Sequence, residues 1–170
     1  LTKVSVELDT VRWALDQPGI VGMKDSSSNM IYFGRVLDVI RRRPGWTVFV
    51  GPEELLAEAL WLGAHGGVPG GANLLPRLYV DLCRAVSAGD LARARELQSR
   101  VRQVAEQLYY IGRHASAVIK GVKCALSCLG ICDDFMAEPF HRFREEERDR
   151  VQRALDELRP VIGAWLPTGF

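Results

Sequence analysis

Lys24 is the residue of this sequence whose type and position best suit chemistry. It ends an apolar run over residues 19–23 and is followed by Asp25-Ser26-Ser27-Ser28. Burial disfavours the ammonium form of a lysine, so an amine at the end of a buried strand can attack a carbonyl carbon and form an imine. The alternative is that Lys24 extends into water with its stem along apolar surface. The first interpretation predicts a Schiff-base enzyme with Lys24 as nucleophile.

Lys24 belongs to the first of three short strand-like runs that alternate with helical patterns. The Lys24 run is followed by Trp46–Val50, rich in β-branched and aromatic residues, and by a glycine-rich run over residues 66–69. Helical periodicity covers about residues 6–15, 29–43 and 52–62, and Ser26–Ser28 can cap the second helix. Strands separated by helices predict parallel βα units, because a parallel connection needs a long crossover.

The second part of the chain is predicted to be helical. Amphipathic patterns cover about residues 76–86, 91–110, 116–129 and 144–158. A closed eight-unit barrel typically takes about 250 residues, so three units form only part of one. We therefore expect an α/β fold with a partial barrel over residues 1–90 and a helical bundle over residues 91–170.

Composition excludes several classes of partner. The chain has 170 residues, 48% of them hydrophobic, which suffices for a sizeable core. Its formal net charge of +1 provides no global field that would attract nucleic acid or an anionic membrane. No apolar run approaches the roughly 18 residues of a membrane span, and residues 1–9 lack the pattern of a secretory signal. We expect a cytoplasmic protein that binds neither nucleic acid nor membrane.

The four cysteines are expected to be free thiols. They show no paired CxxC spacing, and they are few for the length of the chain. Cys124, Cys128 and Cys132 recur at intervals of four, which would suit a metal, but nearby leucines favour small apolar residues in a core. Gly130 is expected to end that helix and to remove Cys132 from the shared face.

Other groups that could do chemistry have simpler structural interpretations. His65 precedes the third strand in a turn, where a structural role is favoured over contact with substrate. Glycines at 66, 67, 70 and 71 allow close backbone approach, but both phosphate-binding motifs, GxGxxG and GxxxxGK[ST], are absent. Arg41–Arg43 close a predicted helix and Glu145–Glu147 open one, so each set complements a helix dipole.

These residues together resemble the dihydrodipicolinate synthase and N-acetylneuraminate lyase family. The chain resembles the second half of that family's proteins, and the resemblance covers nearly the whole chain. It runs through Ile20-Val21-Gly22-Met23-Lys24-Asp25-Ser26-Ser27, Val48-Phe49-Val50-Gly51, Gly63-Ala64-His65-Gly66-Gly67-Val68, Ala72-Asn73, Pro76-Arg77-Leu78-Tyr79, Gly89 to Ala94 and Val122 to Leu126. It implies the C-terminal half of a (β/α)8 barrel, strands six to eight, followed by the family's helical extension.

The resemblance also implies an activity and its site. The lysine of the sixth strand condenses with pyruvate or another 2-oxo acid in this family, which places that role on Lys24. Gly51 would end the seventh strand beside the substrate, and the backbone carbonyl of Val68 on the eighth would lie near the imine. The implied enzyme is a lyase or aldolase that uses no metal or organic cofactor.

Part of the family's machinery has no counterpart in this sequence. The Gly-x-x-Gly-Glu segment, the hydroxyl pair that binds the substrate carboxylate and the tyrosine proton shuttle belong to the first five strands. Tyr109 and Tyr110 lie on a predicted long helix and cannot be assigned the shuttle. The expected partners are a 2-oxo acid and either further copies of the chain or a complementary N-terminal half-barrel. The alternative function is a catalytically silent half-barrel that acts in assembly or regulation through its open strand edges.

Overall fold

The chain folds into two compact units. The computed structural model describes residues 4–166, and the division falls between Val68 and Pro69. The first unit alternates helices and strands in the order α1 (Leu8–Leu15), β1 (Gly22–Asp25), α2 (Met30–Ile40), β2 (Thr47–Val50), α3 (Leu56–Leu62) and β3 (Gly66–Gly67). A 3-10 turn over Glu53–Leu55 precedes α3. The predicted alternation of element types is confirmed.

The three strands form one parallel sheet in the order β1-β2-β3. Lys24 of β1 pairs with Phe49 of β2, and Val50 of β2 pairs with Gly67 of β3. Parallel pairing brings the carboxyl ends of all three strands to the same edge of the sheet. That edge therefore carries Lys24, Gly51 and Val68.

The core of this unit is built from the apolar residues that the periodicity selected. Val48 and Val50 of β2 are buried, as are Phe33 and Val36 of α2 and Leu56 of α3. Each fully buried side chain of this size contributes about 1.5–3 kcal/mol relative to leaving it in water. Burial of both valines on β2 holds the central strand in place, and with it the strand ends.

The ends of α2 differ from their predicted positions. Asn29, rather than Ser26–Ser28, is the N-cap, because its side chain accepts a hydrogen bond from the Tyr32 N–H at 3.0 Å. The helix ends at Ile40, so the arginines at 41–43 follow it directly. Gly63 ends α3 with φ of 108°, a left-handed conformation that glycine adopts without a steric penalty. That predicted helix end is confirmed.

The second unit is helical, as predicted. It contains α4 (Pro76–Ser87), α5 (Leu91–Leu108), α6 (Ala117–Cys128) and α7 (Glu145–Ile162), with 3-10 turns over Gly71–Asn73 and Gly163–Trp165. Its fully buried residues include Leu97, Leu108, Leu155 and Leu158. The predicted domain boundary between residues 90 and 91 stays a prediction.

Burial places only one cysteine of the Cys124, Cys128 and Cys132 series in the core. Cys124 is buried, Cys128 is half-buried and Cys132 is exposed beyond the end of α6, and all of them are free thiols. Gly130 has φ of 72°, so the chain turns away from the helix before Cys132. Across residues 4–166, no helix is both long enough and apolar enough to cross a membrane.

Candidate functional site

Lys24 lines a cavity of about 660 Å³ in the first unit. Met23, Ser26 and Tyr32 are among the other residues that form its wall. The prediction that Lys24 is buried is wrong, because the residue is exposed in this structure. The amine is therefore at the wall of an open cavity rather than inside a dry cleft.

Gly51 lies directly beside the Lys24 side chain. Its backbone N–H donates a hydrogen bond to the Asp25 carbonyl oxygen at 2.7 Å, which extends the pairing of β1 and β2 past Val50. A β-carbon at position 51 would lie 2.8 Å from Lys24 Cε and would collide with the Ser26 hydroxyl oxygen. The absence of a side chain at Gly51 thus makes the space that Lys24 and Ser26 share.

Val68 occupies the same edge of the sheet but not the same cavity. The Val68 N–H donates a hydrogen bond to the Val50 carbonyl oxygen at 2.9 Å, and 50% of the residue's surface is exposed. The structure brings Gly51 to Lys24, whereas Val68 is not among the residues that line the Lys24 cavity. The roles assigned to Lys24, Gly51 and Val68 stay predictions.

Asp25 holds the loop that follows Lys24. It is buried, and its two carboxylate oxygens accept hydrogen bonds from the Ser27 N–H and the Ser27 hydroxyl, both at 3.0 Å. The Ser27 hydroxyl oxygen in turn accepts from the Asn29 N–H at 3.1 Å. Asp25 therefore fixes the turn between β1 and α2, next to Lys24.

Tyr32 is a cavity residue that sequence reasoning missed. Its phenol donates a hydrogen bond to the Val6 carbonyl oxygen at 2.6 Å. Burial raises the pKa of Tyr32, and the carboxylates of Asp25 and Glu7 raise it further. Tyr32 stood in the sequence between two apolar residues of a helical pattern, and no local signal distinguished it. Only the distant contact with Val6 reveals its position.

His65 has a structural role, as predicted. The His65 ring nitrogen Nδ1 accepts a hydrogen bond from the Val48 backbone N–H at 3.1 Å, and the His65 backbone N–H donates to the Val48 carbonyl oxygen at 2.9 Å. The imidazole therefore continues the pairing of the second and third strands. The part of the chain that the structure describes contains no group of three histidine, cysteine or acidic residues placed to hold a metal ion.

Comparison with known proteins agrees with the partial-barrel architecture of parallel βα units followed by helices. These units and the helices after them are the C-terminal part of a (β/α)8 barrel, since solved barrels of this kind match the chain over about half their length. The sequence model of the Dihydrodipicolinate synthetase family matches residues 1–158. The chain belongs to that family, and the predicted resemblance is confirmed.

Three relatives show the extent of the likeness. A 4-hydroxy-tetrahydrodipicolinate synthase of Neisseria meningitidis serogroup B is 32% identical over 155 residues, covering 91% of this chain and 50% of the relative. A dihydrodipicolinate synthase structure from Bacteroides thetaiotaomicron is 46% identical with a TM-score of 0.86, covering 92% and 53%. YagE, a prophage protein of this family from E. coli K12 in complex with pyruvate, is 21% identical with a TM-score of 0.78, covering 89% and 50%. The chain spans about half the length of these relatives.

Proposed function

We propose that this chain supplies the imine-forming half of a cytoplasmic lyase or aldolase acting on pyruvate or a related 2-oxo acid. The observation that carries the proposal is the position of Lys24 at the carboxyl end of β1, lining a cavity, with its Cε against Gly51. In (β/α)8 barrels the reactive groups lie at this edge. Pyruvate is bound by one structural relative, YagE.

The chemistry begins with the unprotonated Lys24 amine. Its nitrogen attacks the C2 carbonyl carbon of the 2-oxo acid, the carbonyl oxygen leaves as water with the two amine hydrogens, and a proton taken up from solvent converts the imine to its protonated form. The cationic nitrogen then accepts the electron pair of a C3–H bond as the proton leaves, which gives an enamine nucleophile. The cavity wall beside Lys24 includes the Ser26 hydroxyl, and the Tyr32 phenol, whose hydrogen is donated to the Val6 carbonyl oxygen, can still accept a hydrogen bond.

The exposure of Lys24 bears on how the complete site forms. An open cavity leaves the amine solvated, whereas an imine-forming lysine is favoured by a low-dielectric surrounding. We propose that additional strands cover the cavity, supplied by a complementary N-terminal half, and that the complete protein is a homo-oligomer. The N-terminal half would also bring the substrate carboxylate site that the described residues lack.

Trapping of the imine tests the proposal. The chain is incubated with pyruvate and sodium borohydride, alone and after co-expression with the N-terminal half of the Bacteroides thetaiotaomicron enzyme. Peptide mapping by mass spectrometry then locates the reduced adduct. We expect an adduct confined to Lys24, increased by the N-terminal half, and absent from the other three lysines, Lys3, Lys120 and Lys123.

Two variants separate site chemistry from general amine reactivity. Lys24→Arg keeps the charge but cannot form the imine, so the adduct is expected to disappear. Lys120→Arg removes an amine in the second unit and is expected to leave the adduct unchanged. An adduct spread over all lysines, or none even with the N-terminal half present, would contradict the enzyme proposal. The second result would instead favour the silent half-barrel.

A further inference from the structure

A second cavity, of about 570 Å³, lies in the helical unit. The loop before α6, the first turns of α6 and the start of α7 form its walls. Five basic side chains line it, against two acidic ones, Glu146 and Glu147; the basic residues are Arg113, Lys120, Arg142, Arg144 and Arg150. No residue of the Lys24 site contributes to this cavity.

Two of these five cations already have partners. Arg142 forms ion pairs with Asp133 at 3.4 Å and Asp134 at 3.3 Å. The Lys120 ammonium lies 5.8 Å from the centre of the Phe143 ring, a cation–π arrangement, and no carboxylate of residues 4–166 forms an ion pair with it. These contacts hold the basic side chains at the cavity wall without filling it.

Among residues 4–166, the other three arginines have no carboxylate within ion-pair distance; they are Arg113, Arg144 and Arg150. Of the two glutamates in the wall, Glu147 accepts a hydrogen bond from the Arg144 backbone N–H at 3.0 Å. The local excess of positive charge contrasts with the formal net charge of +1 for the whole chain.

We infer that this cavity binds a small multivalent oxyanion, one that carries at least two phosphate or carboxylate groups. Arginine guanidinium groups form paired, charge-assisted hydrogen bonds with the oxygens of phosphates and of carboxylates. The volume is within the range of small-molecule sites. The carboxylates of α7 itself, Glu145–Glu147, already occupy the positive end of that helix, so recognition depends on the arginines.

A small anion fits better than a nucleic acid. The acidic Glu146 and Glu147 interrupt the basic surface within the cavity, which would repel a continuous phosphate backbone. A net charge of +1 also gives no long-range attraction to a polyanion. A compact ligand can engage Arg113, Arg150 and Lys120 while its bulk remains inside the cavity.

Isothermal titration calorimetry of the whole chain tests this site. Pyrophosphate and citrate are the two probes, titrated separately at constant ionic strength, and their relative affinities show whether phosphate or carboxylate oxygens are preferred. We expect saturable binding of at least one probe. Arg150→Gln and Arg113→Gln should each weaken it roughly tenfold, because each removes a charge-assisted contact.

Two further variants make the result specific. Glu146→Gln removes a repulsive charge and should tighten binding about twofold to fivefold. Arg95→Gln removes an exposed arginine of α5 outside the cavity and should change nothing, although the net charge falls equally. Equal weakening by Arg95→Gln and Arg150→Gln, or no saturable binding up to about 10 mM, would overturn the inference. None of these variants touches Lys24, so the outcome is independent of the proposed lyase activity.

Discussion

Replacing Gly51 by alanine tests whether the spacing of β1 and β2 positions the Lys24 amine. The new β-carbon would lie 2.8 Å from Lys24 Cε, whereas ordinary contact begins at 3.4 Å. Lys24 Cε must move by 0.6 Å, the difference between these distances, to regain ordinary contact. The Ser26 hydroxyl must also rotate away, since it occupies the same space, and the Ser26 Cβ stays in tight contact at 3.0 Å.

The expected cost falls on reactivity rather than on stability. Misplacement of a reacting group by about 1 Å can slow a reaction by about a hundredfold, so a shift of this size should slow imine formation roughly tenfold. Both displaced groups are the ends of side chains, and alanine restricts the unfolded chain more than glycine does. We therefore expect the free energy of unfolding to change by less than about 1 kcal/mol.

The assay is the rate of borohydride-trapped pyruvate adduct at Lys24, with stability measured by urea denaturation. Gly34→Ala is the matched control, because Gly34 lies in α2 and a β-carbon there meets no atom within 4 Å. It should stabilise the chain by about 1 kcal/mol and leave the adduct rate unchanged. An adduct rate for Gly51→Ala within about twofold of wild type would refute the reasoning that Gly51 makes room for Lys24.

Three further predictions concern stability, and urea denaturation measures each. Gly121→Ala should destabilise the chain by about 1–3 kcal/mol, because the new β-carbon would overlap the Leu108 carbonyl group and force α5 and α6 apart. An unchanged urea midpoint would contradict this close contact. Ser28→Gly should stabilise it by about 0.5–1 kcal/mol, since Ser28 has φ of 61°, and a loss of stability would show that the hydroxyl matters more than the backbone. Burial, with a smaller effect of neighbouring Cys128, raises the pKa of the Cys124 thiol from 9.0 to about 12. The unfolded chain therefore loses the Cys124 proton at lower pH than the folded chain does, so the free energy of unfolding should fall by up to about 1.4 kcal/mol per pH unit between pH 9 and 12. Cys124→Ala should lessen that slope, and equal slopes in the two proteins would contradict the raised pKa.

Periodicity predicted the elements that burial dictates. The structure places α2 and α5 within a few residues of the predicted ranges, because their apolar residues recur at helical spacing and are buried. The strand β3 is different, since Gly66–Gly67 has no strand propensity and pairs only because β2 presents a free edge. Its prediction depended on the neighbouring βα units.

Features that depend on backbone conformation or distant contacts were not predictable. Serines at 26–28 and Asn29 are all suitable caps, and only the φ of 61° at Ser28 and the Asp25 hydrogen bonds to Ser27 decide that Asn29 takes the role. Tyr32 enters the cavity wall through a bond to Val6, 26 residues away in sequence. No local pattern encodes either outcome.

The two properties predicted for Lys24, its place and its burial, have different physical origins. Its place follows from the chain itself, because β1 and β2 pair in a register that sets Lys24 opposite Phe49 and Lys24 Cε beside Gly51. Its burial requires atoms on the open side of the sheet, which the described residues do not supply. Covering strands would therefore lower the exposure of Lys24 without altering its register. Desolvation of the amine, and with it the ease of imine formation, should depend on the partner half, whereas the choice of Lys24 over other lysines should not.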